Sequence, residues 1–348
     1  MTGMDTLILG PSENSYAMAS DLLHAGKLVA FPTETVYGLG ADATNTEAVL
    51  SIFRAKGRPA DNPLIVHIHD RSQLEKLCEV PDRVIPLMDA FWPGPLTLLF
   101  RKFSTVPEAV TAGLPTVAVR MPSHPVAAAM LRKCNLPIAA PSANTSGRPS
   151  PTLASHVMED MNGRIPLIID GGSCEVGLES TVLDFCHGDP TILRPGGVTK
   201  EMIEDVIHRE VKLAGSILRP LAPDEKALSP GMRYKHYSPK AAVTLVEGAE
   251  DAVLSALKDL YAKEAASGKK CCVLCFSEHM EVLQGCCPHD IGSRIRPDET
   301  AHRLFQVLRA MDEEQMDSVF SEVLPPEGMG LAVMNRLGRA AAFRTVRV

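Results

Sequence analysis

The chain has 348 residues, 45% of them hydrophobic, a formal net charge of −7 and nine cysteines. That length accommodates about two domains of ordinary size, and no apolar run approaches the roughly 20 residues needed to cross a bilayer. The negative balance argues against a general nucleic-acid binder, which carries a basic footprint; a polyanion would have to be held by a local cationic cluster in a cleft. An odd number of cysteines among apolar neighbours suits reduced thiols. The segment from Met1 to Thr6 lacks the basic and then apolar regions of a signal peptide, so a cytoplasmic location is expected.

In chain order, Ser12 or Asn14 can cap a first helix that carries Met18, Leu22 and Leu23 on one face and stops at Gly26. Leu28 to Phe31 then reads as a strand cut off at Pro32, which has no N–H to give to a ladder. Gly38 and Gly40 allow backbone closed to other residues, so the chain is expected to leave the sheet here, carrying out Thr33, Glu34, Thr35 and Tyr37. Pro-Thr-Glu-Thr also reads as a turn plus a helix N-cap. Thr44-x-x-Glu47 has the form of a capping box, and Val49, Ile52 and Phe53 recur at helical spacing up to Gly57. That helix delivers Lys56 and Arg58 at its C-terminal end.

Short apolar runs follow at Leu64 to Ile68, Leu96 to Phe100, Val117 to Val119, Ile138 to Ala140, Leu167 to Ile169, Val182 to Phe185 and Ile192 to Leu193. With helical patterns at Val84 to Phe91 and Val126 to Leu131, they predict one mixed α/β domain over residues 1–210. Residues 211–240, rich in proline and polar side chains, read as a linker, yet they hold Arg233, Tyr234, Lys235, His236 and Tyr237, which a passive tether would not need. Over 241–348, strand candidates (Val243 to Val246, Cys271 to Phe276, Ser318 to Val323) alternate with amphipathic helices (Asp251 to Ala265, Thr300 to Met311, Leu331 to Ala341), which predicts a smaller Rossmann-like parallel sheet with crossover helices.

Polar groups gather after the strands of the first domain. Lys56-Gly-Arg58 sets a point-charge ammonium beside a forked guanidinium, a pair that suits a phosphate, although helix-terminal cations also complement the macrodipole. Ser142-Ala-Asn144 could orient phosphate oxygens or a metal's water shell, or form a plain turn. Arg120, Ser150, Ser180-Thr181 and Arg194 repeat the pattern of apolar strand and polar Gly/Pro loop, as a concave site lined by one sheet requires. His67-Ile-His69-Asp70 could hold a metal, but no third soft ligand sits nearby in sequence. Cys272-x-x-Cys275 with Cys286, Cys287 and His289 invites zinc, yet it falls on an apparent buried strand where thiols behave as small hydrophobes. Neither a Walker-type loop nor a Gly-x-Gly-x-x-Gly is present.

On these residues the chain resembles the YrdC-type threonylcarbamoyl-AMP synthases in their two-domain form. The marks are Phe31-Pro-Thr-Glu-Thr-Val-Tyr-Gly-Leu-Gly, Lys56-x-Arg58-Pro with Asn62-Pro-Leu, Trp92-Pro-Gly-Pro-Leu-Thr, Val119-Arg120-Met-Pro, Pro141-Ser-Ala-Asn-x-Ser-Gly and Glu179-Ser-Thr. Lys235-His-Tyr-Ser-Pro and Gly330-Leu-Ala-Val-Met-Asn-Arg carry a weaker likeness in the second domain. The resemblance implies a YrdC-like twisted mixed sheet as catalytic domain and conversion of L-threonine, bicarbonate and ATP to threonylcarbamoyl-AMP and pyrophosphate, for threonylcarbamoyladenosine in tRNA. By it, Lys56 and Arg58 are catalytic, and Lys56, Arg58, Ser142, Asn144, Ser150, Arg194 and Tyr237 hold ATP. Mg²⁺ is bound through the phosphates with no dedicated protein site. Thr33, His67, Arg120 and Ser180 hold threonine, Arg120 being the natural partner of its carboxylate. A transient contact with the downstream tRNA threonylcarbamoyl transferase complex is implied, and no membrane partner. The linker is expected either to close over the cleft as a lid, with Tyr234 and Tyr237 at the mouth and Lys235 or His236 facing the nucleotide, or to be a proline-stiffened domain connection whose aromatics pack on a domain surface. The alternatives are an RNA-binding module of the same fold and a metal-dependent enzyme using His67 and His69.

Overall fold

The structure, a computed structural model, describes residues 5–217, 219 and 237–348. These form two compact units, one of 5–146 and 150–217, the other of 147–149, 219 and 237–348. Arg233, Tyr234, Lys235 and His236, and with them most of the expected lid, lie outside the described residues.

The first unit is built on one 12-stranded sheet. Its strands are β1 (Leu7–Leu9), β2 (Val29–Phe31), β3 (Gly38–Asp42), β4 (Ile65–His67), β5 (Cys78–Glu79), β6 (Leu96–Lys102), β7 (Thr116–Arg120), β8 (Ile138–Ala139), β9 (Leu167–Ile169), β10 (Thr181–Asp184), β11 (Thr191–Arg194) and β12 (Lys212–Leu213). They lie in the order β1-β9-β2-β3-β8-β4-β7-β6-β10-β11-β12, with β5 paired to β6. Parallel pairs such as β4 with β7 alternate with antiparallel pairs such as β6 with β7, so the sheet is mixed. Because β12 pairs with β11, this unit runs on to residue 217.

Three local outcomes matter for the site. Helix α1 (Glu13–His24) is capped by Ser12, whose side chain exchanges hydrogen bonds with Ser15. Together with the helix Pro125–Cys134 it covers β2 and β9 through Leu23, Phe31, Met130, Leu131 and Ile169, which are buried together. The helix that carries Lys56 spans Thr46–Lys56 and is capped by Asn45, which accepts from Ala48 N–H, and not by the Thr44-x-x-Glu47 box. Thr44 is drawn off by Asp42, whose Oδ1 accepts from both its N–H and its hydroxyl. The third outcome corrects the expectation at Pro32: the chain leaves the sheet for a few residues only. It returns as β3 antiparallel to β2, with Phe31 opposite Gly38 and Val29 opposite Gly40. A Cβ at Gly40 would come within 2.8 Å of Ile138 and 2.9 Å of Phe31, so close packing is what demands glycine there.

The second unit is an all-parallel sheet in the order β15-β14-β16-β13-β17: β13 (Ala242–Glu247), β14 (Cys271–Cys275), β15 (Pro288–Asp290), β16 (Ser318–Ser321) and β17 (Thr345–Arg347). The long crossover helices span Glu250–Ala266, Pro297–Glu313 and Gly328–Ala340. Cys271, Val273 and Cys275 pack against Val253 and Leu257 on one face, while Cys272 Sγ lies 3.1 Å from Met311 Sδ on the other. Strand alternation therefore sends Cys272 and Cys275 to opposite faces, and the pair cannot chelate one zinc. Tyr237, expected at the nucleotide, is buried in this unit: its ring stacks on Phe305 at 5.2 Å and lies 5.7 Å beneath the Arg336 guanidinium.

Candidate active site

Two polar clusters meet at the loop between β2 and β3. The first is built on Lys56, the last residue of its helix, with only 2% of its surface exposed. Its Nζ donates to the carbonyl oxygens of Ser142 and, at 2.6 Å, of Asn144, while Ser142 Oγ donates to Asn144 Oδ1 at 2.6 Å. Lys-x-Arg and Ser-x-Asn, far apart in sequence, are thus one structure. The hairpin fixes it from the other side: Gly38 bridges to Ser142, and Ala143 N–H donates to Tyr37 O at 2.8 Å. Tyr37 in turn donates its hydroxyl to Gly172 O at 2.8 Å. Arg58, half-buried, extends over the Phe53 ring at 5.7 Å.

The second cluster centres on Arg120, the last residue of β7. Nη1 donates to Thr35 Oγ1 at 2.8 Å, Nε to Gly94 O at 3.2 Å, and Nη2 lies 2.6 Å from Glu34 Oε1. Gly94 is obligatory, since a Cβ there would stand 2.5 Å from Phe91 O; this is the physical content of the Trp-Pro-Gly-Pro run. Both partners of the Glu34–Arg120 pair are 3% exposed. Burial, the largest single influence, pushes the Glu34 carboxyl upward, but the Arg120 charge together with hydrogen bonds from Arg120, Ser123 N–H and its own N–H holds the group below its ordinary range. His67 stands opposite Arg120 in the β4–β7 register. Burial first, and the Arg120 charge second, lower its pKa to about 3, so the imidazole is neutral. Its Nδ1 sits 3.2 Å from Ile65 O, which leaves Nε2 as the ring's other site.

A third group adjoins this one across the strands. Thr97 is opposite Arg120 in the β6–β7 register, and its hydroxyl is 2.7 Å from Ser180 Oγ. Arg194 donates to Ser180 O and Oγ, both at 3.1 Å. Ser150 donates to the buried Glu179 at 2.5 Å.

Thr33 is used inside the loop: it donates to Val36 O at 2.7 Å and accepts from the N–H groups of Thr35 and Val36. Sequence reasoning put Glu34 and Thr35 among the polar groups of the loop but gave them no role, and it passed over Thr97. An acidic residue inside a proposed anion site carries no sign of its role until its cation is known. His67 and His69 bond separately, His69 to Asn135 Oδ1 at 2.9 Å, and among the described residues no three His, Cys, Asp or Glu side chains are grouped to hold a metal.

The Sua5/YciO/YrdC family, described as telomere recombination, matches residues 21–196, and the family described as the C-terminal domain of threonylcarbamoyl-AMP synthase matches 198–342. A threonylcarbamoyl-AMP synthase of Bacillus subtilis is 46% identical over 97% of this chain and 96% of its own. One from Pyrococcus abyssi is 47% identical over 95% of each. The crystal structure of P. abyssi Sua5 complexed with L-threonine superposes with a TM-score of 0.93 at 45% identity, covering 99% of this chain and 100% of that one. The chain belongs to the Sua5/YciO/YrdC family, in the two-domain form that carries the Sua5 C-terminal domain.

Proposed function

We infer that the protein is an L-threonylcarbamoyladenylate synthase, an ATP-consuming nucleotidyltransferase that serves threonylcarbamoyladenosine formation in tRNA. The observation that carries this is the match, from end to end of both chains, to relatives named threonylcarbamoyl-AMP synthase at 46% and 47% identity. ATP and L-threonine are its substrates, and bicarbonate supplies the carbamoyl carbon. Threonine's nitrogen is carboxylated, the carbamate oxygen attacks the α-phosphorus of ATP, and pyrophosphate leaves.

Such a displacement asks for positioning and charge neutralisation more than for a proton-shuttling side chain. In this reading Lys56 and Arg58 face the phosphates, Ser142 and Asn144 orient them, and Ser150 and Arg194 complete the nucleotide site. Arg120, Ser180 and neutral His67 receive threonine. Thr33 shapes the loop that presents Glu34 and Thr35. Magnesium belongs with the nucleotide. The hard oxygen donors of Ser142 and Asn144 suit the water shell of an ion that keeps several waters and binds mainly through phosphates, and there it would neutralise phosphoryl charge. Tyr237 is a packing residue of the second unit in the geometry described above, so its role at ATP rests on the sequence resemblance alone. A cytoplasmic location and hand-over of the labile product to the tRNA threonylcarbamoyl transferase complex complete the proposal. Among the described residues, no helix is long and apolar enough to cross a membrane.

Pyrophosphate release measured with ATP, threonine and bicarbonate, and with each withheld in turn, tests the assignment. Release is expected only when all three are present. Release without threonine or without bicarbonate would show a different reaction.

A further inference from the structure

The helix that ends at Lys56 leaves its last four backbone carbonyls without partners inside the helix, as any α-helix does. Three of them are met by backbone N–H groups. Phe53 O accepts from Arg58 N–H at 3.0 Å, Arg54 O from Gly57 N–H at 3.2 Å, and Lys56 O from Ser146 N–H at 3.0 Å. The fourth, Ala55 O, accepts from Arg164 Nη1 at 3.1 Å, a side chain 109 positions away. The same nitrogen reaches Thr145 Oγ1 at 3.4 Å, a longer contact. Arg164 thus bridges the residue before Lys56 and the residue after Asn144, whose carbonyl takes the Lys56 ammonium. It also brings a cation to the negative end of the helix dipole. Arg54, a cation of the helix's own last turn, bends back instead to the Glu47 carbonyl and lies 3.8 Å from its carboxylate. The base of Arg164 is held in place, in the turn between the helix Ala154–Met161 and β9. Gly163 makes that turn at φ +74°, and buried Thr6 spans it, accepting from Gly163 N–H at 2.9 Å and donating to Ile165 O at 2.6 Å.

We propose that Arg164 is a positioning residue for Lys56 and Arg58: from a distant turn it caps the carboxyl end of their helix and holds that end in register with the Ser142–Asn144 loop. This rests on the reading that Lys56 and Arg58 face the phosphates of ATP. Both partners of the guanidinium belong to the Lys56 cluster and neither to the Arg120 cluster, so the effect of Arg164 falls on the nucleotide and not on threonine. The side chain is exposed, so its removal empties no core and water can reach Ala55 O. What is lost is the register. A small displacement of charges that must meet phosphate oxygens is felt as affinity and rate even when the altered residue lies away from the chemistry.

The test is calorimetric titration of the full chain with ATP alone and with L-threonine alone, so that no turnover intervenes. Arg164→Met, which keeps the stem and removes the donors and the charge, is expected to weaken ATP by about three- to tenfold, the equivalent of one net hydrogen bond, and to leave threonine unchanged. Arg164→Lys, which returns a cation and a donor for Ala55 O, should recover most of the loss. A merely structural role would lower the melting temperature and the binding stoichiometry, and would separate neither the two ligands nor the two variants. Unchanged ATP affinity in Arg164→Met would overturn the proposal, and so would equal losses for ATP and threonine. Lys56→Met, titrated beside it, keeps the two failures apart: if that variant too bound ATP as wild type does, the phosphate reading of Lys56 would fall and the proposal with it. Thr145→Val removes only one of the two contacts and should weaken ATP in the same direction by less; where Arg164→Met does not fold, an unchanged ATP affinity in Thr145→Val is the result that overturns the proposal.

Discussion

Arg194 holds Ser180 by two hydrogen bonds, from Nη2 to the hydroxyl and from Nε to the carbonyl, each at 3.1 Å. In the proposed assignment a residue of the ATP site is thus the support of one of the threonine site, so that the two half-sites would share a wall.

Removing the guanidinium should therefore be felt by both substrates. Hydrogen bonds to a charged group contribute roughly 1.5–3 kcal/mol, so Arg194→Ala is expected to raise the KM for threonine as well as for ATP by about tenfold or more. Steady-state kinetics with each substrate varied in turn measures this. A change confined to ATP would show that Thr97 alone suffices to hold Ser180.

The turn after Arg194 is equally constrained. A Cβ at Gly196 would lie 2.4 Å from both Glu179 O and Thr181 N, backbone atoms on either side of Ser180. Gly196→Ala must push that segment away, and overpacking of this kind costs about 1–3 kcal/mol. The expected result is a lower melting temperature with loss of threonine-dependent pyrophosphate release. Unchanged turnover would mean that Ser180 can shift without consequence.

Much of this was legible beforehand, for identifiable reasons. The strands around Arg120 and Ser142 are short, apolar and bounded by Gly or Pro, so local pattern and burial agree. The hairpin of β2 and β3 was not legible, because β3 is glycine-rich (Gly38-Leu-Gly40) and carries no strand propensity of its own; it is a strand because β2 and β8 flank it. The Asn45 cap was hidden by an adjacent Thr that fits the same template. The union of Lys56 with Ser142 and Asn144 is a contact across 86 and 88 positions, which no local pattern can report.

That union changes what a Lys56 variant should do. Lys56→Met keeps the stem and removes three donors from a buried site where two carbonyl oxygens depend on them. Turnover should fall by about 100-fold or more, the usual effect of losing a group that stabilises developing charge. Stability should fall as well, since each buried acceptor left unsatisfied costs about 1–3 kcal/mol. Arg58→Ala, at a half-buried position, should lose turnover with a smaller thermal cost. Melting curves beside single-turnover rates separate the two, and an unchanged melting temperature in Lys56→Met would show that water replaces the ammonium.

His67 sets a limit on acid tolerance. Its folded-state pKa of about 3 lies well below the ordinary histidine value of 6.5, because burial and Arg120 both disfavour the imidazolium. The unfolded chain therefore binds a proton in a range where the folded chain does not, and stability rises with pH wherever that is so. The contribution is complete above pH 6.5 and is lost progressively as pH falls from there toward 3, with a slope of at most about 1.4 kcal/mol per pH unit for one proton. Glu34 has the same sign, with a folded-state pKa also depressed, but its loss begins only below the ordinary carboxylate value of about 4.3. Between pH 6.5 and 4.5 the decline thus belongs to His67, with a part of the same sign from His124, whose pKa burial also lowers, and it is opposed by Glu322, whose carboxyl burial raises. Urea unfolding of wild type and His67→Gln across this interval should show a decline in the wild type that is shallower in the variant, whatever the variant's stability at pH 7. Parallel lines would place the proton elsewhere and would mean that His67 is protonated in the folded chain, as a partner of Glu34 and not as the neutral neighbour of Arg120.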